Sequence, residues 1–128
     1  MKVNTGRFLG GWNINNFINV NFLNNKMKGY ILVLTTIDDK NKAKEIARFL
    51  VEKKVAACVN IIEGNSFYMW KGKIEESREC LLFIKGKSFA EIEKKIKEVH
   101  PYEIPEIIQL EISKGNEEYL RWIDGAVD

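Results

Sequence analysis

From Tyr30 onward the apolar positions fall into two alternating periods. Residues 30–36, YILVLTT, are a short apolar run with β-branched members and predict a buried strand. Asp38 and Asp39 then offer a helix N-cap. Ala43, Ile46, Ala47 and Leu50 follow at helical spacing, with Lys42, Lys44, Glu45 and Arg48 between them. VAACVNII (55–62) predicts a second strand, and SFYMWK (66–71) continues it. Gly72 marks a turn, Ile74 begins the return, and ECLLFIK (79–85) is the next strand, so this region reads as a hairpin. Ser88 and Glu91 have the spacing of a capping box. Phe89, Ile92, Ile96 and Val99 form the apolar stripe of the helix behind it. That helix stops at His100, because Pro101 disfavours helical geometry in the residue before it. IIQLEIS (107–113) predicts a strand, Lys114-Gly115 a turn, Asn116 a cap and EEYLRWID (117–124) a short helix with acids in its first turn.

The order β-α-β-β-α-β with a terminal helix is the split-βαβ, ferredoxin-like topology, an α+β class with the two main helices on one face of an antiparallel sheet. A sheet with one wet face alternates apolar and polar residues. These strands do not. Leu32 and Leu34 oppose Ile31 and Val33, Tyr68 and Trp70 oppose Phe67 and Met69, and Leu81 and Phe83 oppose Leu82 and Ile84. Helices on one side leave the other side apolar, and soluble monomers rarely keep such a patch in water. A second copy of the chain is the expected cover, with the hairpin through Tyr68, Trp70 and Gly72 the element placed to reach it.

Composition changes this picture at one end only. The 128 residues suffice for one domain, and 20 basic against 18 acidic residues make no field that points to nucleic acid. No apolar run approaches the roughly 20 residues needed to span a bilayer, so no membrane insertion is expected. Residues 1–26 contain no acid and are rich in asparagine, which favours turns over helices. They read as a disordered leader or an upstream start, and residues 27–128 as the folded domain. Cys58 and Cys80 both lie in apolar strands and predict buried free thiols rather than a disulfide framework.

The search for chemistry names no reaction. The sequence has no phosphate-binding glycine loop, no C-x-x-C, no H-E-x-x-H and no G-x-S-x-G. A single histidine, His100, cannot build a histidine-rich metal site within one chain. It lies in HPYEIPEII (100–108), which also holds both prolines and Glu103 and Glu106. Each feature has a structural reading: His100 on a helix C-terminus, Tyr68 and Trp70 packed in an interface, Lys85 lying along a strand end, and Glu75, Glu76 and Glu79 on a solvated hairpin edge.

VAACVNI (55–61), YMWKGKI (68–74), the strand from Glu79 to Lys85, HPYEIPEII (100–108) and YLRWI (119–123) occur in an order that resembles the CutA divalent-cation tolerance family. The resemblance covers about residues 28 to 128. It implies a ferredoxin-like homotrimer similar to the PII signalling proteins, cytoplasmic in bacteria and archaea, without enzymatic activity and with no required cofactor. It also implies weak binding of copper, zinc or another divalent ion by His100 and Glu106. Thr35 stands where some members carry a cysteine, which removes the thiolate that copper(I) prefers. A second function compatible with the resemblance is sensing of a small anion by Lys73, Lys85, Tyr68 and Trp70 in a cleft between subunits. A third is a structural trimer that anchors another protein.

Overall fold

The computed structural model describes residues 29–128. The expected leader 1–26 and its boundary lie outside these residues. The elements are β1 (Ile31–Ile37), α1 (Lys40–Glu52), β2 (Ala56–Trp70), β3 (Lys73–Gly86), α2 (Phe89–Val99), β4 (Ile108–Glu111) and α3 (Glu117–Ala126). Local chemistry accounts for their ends. Asp39, not Asp38, caps α1, its carboxylate accepting from Lys42 N–H at 3.0 Å. Ser88 caps α2 by accepting from Glu91 N–H at 3.3 Å. His100 ends α2 with an extended ψ of 128°, as the following proline requires. Asn116 occupies the N-cap of α3 but makes no side-chain bond there. β4 is shorter than the apolar run predicted; Ile112 N–H still bonds Tyr30 C=O at 3.0 Å, one step beyond the last paired residue.

The four strands form one antiparallel sheet in the order β2-β3-β1-β4. Each main helix crosses over one strand, so β3 lies between β1 and β2, and β1 between β3 and β4. The architecture is the expected α+β fold. One sheet face carries Ile31, Val33, Thr35 and Ile37 of β1 and Cys80, Leu82 and Ile84 of β3, all buried under Ala43, Ile46 and Leu50 of α1 and Ile92 and Ile96 of α2. Gly86 is required where β3 passes α2: a Cβ there would meet Val55 O at 2.7 Å and Ile92 Cδ1 at 2.9 Å. No helix among the described residues is long and apolar enough to cross a membrane.

The opposite face carries Leu32, Leu34, Leu81 and Phe83, half-buried, with Ile62, Ile108 and Leu110 exposed. Here two expectations are corrected. First, Cys80 is buried, but Cys58 is only half-buried. The register shift between Ala56 and Cys58 places Cys58 opposite Lys85 on this open face, its Sγ 3.7 Å from Asn60 Oδ1. Second, α3 does not join the other helices. It builds a separate small core with Tyr30 and Ala57 through Leu120 and Ile123. Tyr119 of α3 lies under the Lys85 ammonium at 5.5 Å, and Asp124 takes hydrogen bonds from Tyr30 and Lys87. α3 therefore covers one end of the open face, and among the described residues no helix lies over its centre.

β2 and β3 run on as a two-stranded ribbon beyond the last β1 partner, Cys80. Lys71 and Gly72 close it with φ of 51° and 78°, the two positive values that a type I′ hairpin turn demands. Tyr68, Phe67, Met69, Trp70 and Ile74 on this ribbon are between 46% and 74% exposed.

Candidate functional site

A cleft of about 830 Å³ opens where three segments meet: the end of β1, the ribbon, and the loop between α2 and β4. Thr36 and Asp38 come from the first segment, and Tyr102, Ile104 and Glu106 from the last. The ribbon contributes Tyr68, Trp70, Glu75, Ser77 and Glu79. Tyr68 pairs across the ribbon with Glu75, and Ser77 and Glu79 follow Glu75 at steps of two, so strand alternation sends these side chains to one face. The site is thus a product of register.

The loop wall is fixed by His100. Its ring is buried, and Nε2 donates to the Thr36 carbonyl at 2.9 Å. Nδ1 accepts from Tyr102 N–H at 3.1 Å, which places the ring proton on Nε2. Both nitrogens are therefore engaged, and the imidazole also meets the Tyr102 ring edge-on at 4.7 Å between centroids. Tyr102 continues the chain of contacts, its hydroxyl oxygen accepting from Asp38 N–H at 3.0 Å. Burial, with the negative charges of Asp38 and Glu79 adding to it, pushes the Tyr102 phenol up to about 12. His100 thus joins two wall residues without lining the cleft itself.

Of the residues singled out in the sequence, Tyr68, Trp70 and Glu106 meet in the cleft. Lys73 pairs with Trp70 at the ribbon end yet does not line it, and Lys85 is held over Tyr119. Thr35 lies on the helix-covered face at 0% exposure, so a thiol at this position would meet the core and not the cleft. Sequence reasoning passed over Asp38, Tyr102, Glu75 and Glu79. Glu75 and Glu79 read as a solvated edge; their shared parity with Tyr68 across a two-residue turn was the available signal. Among the described residues, the lining holds four carboxylates and neither lysine nor arginine. Among the described residues, no group of three or more histidine, cysteine, aspartate or glutamate side chains converges closely enough to hold a metal ion.

Residues 31–126 match the family described as CutA1 divalent ion tolerance protein. The chain is 43% identical over 95 residues to the divalent-cation tolerance protein CutA of Thermus thermophilus, covering 72% of this chain and 92% of that protein. It is 47% identical over 95 residues to the CutA homolog of Xenopus laevis, covering 72% of this chain and 63% of that longer protein. The solved structure of the periplasmic divalent cation tolerance protein CutA of Archaeoglobus fulgidus superimposes with a TM-score of 0.75 at 40% identity, over 77% of this chain and 99% of that one.

Proposed function

The chain belongs to the CutA1 divalent ion tolerance family, and on that basis we propose that it is a non-enzymatic homotrimer whose acidic clefts bind divalent cations weakly. The observation that carries the cation reading is the cleft lining, which gathers Asp38, Glu75, Glu79 and Glu106 and, among the described residues, neither lysine nor arginine. Carboxylates suit hard divalent ions. His100 joins Glu106 as a ligand only by releasing Tyr102 N–H from Nδ1, and the dispersed carboxylates do not converge as they stand, in keeping with weak binding. Copper(I) finds no cysteine among the described lining residues: Cys80 is buried in the core, where burial pushes its thiol up, and Cys58 lies on β2 opposite Lys85. The same lining disfavours the anion-sensing alternative, since Lys73 and Lys85 stand outside it. An anchoring role for another protein draws nothing from the cleft.

The trimer reading rests on the open sheet face. Leu32, Leu34, Leu81 and Phe83 at its centre have no helix over them among the described residues, and apolar surface of this extent favours burial. Light scattering coupled to gel filtration should give three times the 14.8 kDa chain mass. A cytoplasmic location belongs to the same reading and is supported by two free thiols, which suit a reducing compartment; cell fractionation decides it.

Calorimetry with copper(II) and zinc on the trimer tests the metal reading. Weak saturable binding that falls in Glu106→Gln is expected. A further loss in His100→Ala would add the imidazole as a ligand. Equal affinity in wild type and Glu106→Gln removes the cleft from the reading.

A further inference from the structure

The outer surface of α1 carries a charge pattern that helix stability does not explain. Residues 40–54 hold six basic and two acidic side chains, against ten and sixteen in the rest of the described chain. Lys40, Lys44 and Arg48 recur at every fourth position, so they form one row on the exposed side of a helix whose Ala43, Ile46 and Leu50 are buried. Like charges at this spacing repel one another along a helix. Lys40 and Lys42 also stand in the first turn, which holds no acidic residue, where the helix dipole disfavours cations. The neighbouring helix shows the contrast: α2 neutralises itself through Lys95–Glu98 at 3.3 Å and Lys97–Glu93 at 3.6 Å. Arg48 and Glu52 on α1 are spaced to do the same, yet Lys42, Lys44, Arg48 and Lys54 enter no ion pair among the described residues. Val51, 43% exposed and three residues beyond Arg48, ends the row with an apolar surface. α1 packs on the sheet face opposite the open one, so assembly through the open face leaves this row accessible.

We propose that the outer face of α1 is a docking surface for an acidic segment of another protein, held by Lys40, Lys44 and Arg48 and seated against Val51. The inference goes beyond the divalent-cation reading and needs neither the cleft nor a metal. Successive members of the row are about 6 Å apart along the helix axis, close to the roughly 7 Å between alternate residues of an extended chain, so carboxylates on one side of an extended segment meet the row in register. A long nucleic acid fits less well. Only Arg48 brings the planar fork suited to phosphate, and the acidic excess of the remaining surface repels an extended polyanion. A bilayer fits less well too, because the apolar stripe of α1 is spent on the core and cannot enter lipid.

The test is fluorescence anisotropy of a labelled oligoglutamate peptide titrated with the full chain at low ionic strength, with a short DNA duplex and phosphatidylserine vesicles as alternative polyanions. Saturable peptide binding that weakens as salt rises is expected. Lys44→Gln and Arg48→Gln should each weaken it about twofold to fivefold. Lys44→Glu should weaken it further, whereas Lys114→Glu, the same change of charge beyond the far edge strand β4, should leave it in place. Because the row repels itself, Lys44→Gln should melt no lower than the natural chain, with circular dichroism and elution volume confirming fold and assembly. Absence of peptide binding, an equal loss in Lys114→Glu, or tighter binding of the duplex or the vesicles at the same salt overturns the proposal. A markedly lower melting temperature in Lys44→Gln also overturns it, since the row would then serve the fold.

Discussion

Thr35 shows how a single atom separates sequence logic from structure. Its position in the strand run made it a stand-in for a metal-ligating cysteine, yet its side chain is fully buried under the helices and its hydroxyl finds no hydrogen-bond partner among the described residues. A buried hydroxyl without a partner is destabilising, and valine has nearly the same shape. Thr35→Val should therefore raise stability by about 1–2 kcal/mol, read as a higher denaturant midpoint at unchanged slope. His100 was legible as a special residue, because it is the chain's one histidine and sits before a proline. Its role as the tie between Thr36 and Tyr102 was not, since those contacts join residues 64 apart in one case and depend on the loop's path in the other. Tyr102 and Tyr30 carry a consequence at high pH. Burial raises both phenols, Tyr102 from 10.0 to about 12, and Asp124 adds to the effect on Tyr30. A raised phenol in the folded chain contributes stability that is fully present below pH 10 and lost as pH climbs toward 12. Melting temperature should hold up to about pH 10 and fall beyond it, and Tyr102→Phe should flatten part of that fall.

Among the elements, the helices were the most legible, because caps and apolar spacing are local signals. Asp39 and Ser88 make the bonds their spacing implies. The C-terminus of α1 was not read from sequence. There Lys54 takes the left-handed conformation with φ of 59°, and Val55 N–H reaches back to Leu50 O at 3.2 Å. Glycine is the usual residue at such a position, so the sequence withholds the signal. Lys54→Gly should stabilise the chain by about 0.5–1 kcal/mol, measured by chemical denaturation. The placement of α3 was likewise hidden. Its stripe of Leu120 and Ile123 announces a helix that must bury a face, but not which face of the sheet receives it. Tyr30 decides this: one residue before Ile31, it points to the opposite side, and its hydroxyl and ring bind Asp124 and Lys87 there.

For the whole molecule, the sequence predicted an apolar second sheet face, and the structure bounds it: α3 takes one end, and among the described residues no helix lies over the centre around Phe83 and Leu34. Introducing a charge there should be costly only if that face is buried by assembly. Phe83→Asp should shift the trimer toward smaller or aggregated species on gel filtration with light scattering. An unchanged elution and mass would place the contact between chains elsewhere. The cleft was half legible for a reason of the same scale: Tyr68 and Trp70 stood out together in sequence, while Tyr102 and the carboxylates come from separate segments that only the completed sheet brings together.

The ribbon beyond Cys80 has a further consequence. Among the described residues, 64–70 and 73–79 pair only with each other, with no third strand beside them. Two strands alone are marginal in water. Their amide hydrogens should then trade with deuterium within moments in an isolated chain and slowly only where neighbouring subunits clasp them. The step in protection between this arm and the Leu81–Lys85 stretch, followed by mass spectrometry as the protein is diluted, would act as a gauge of how firmly the subunits hold one another.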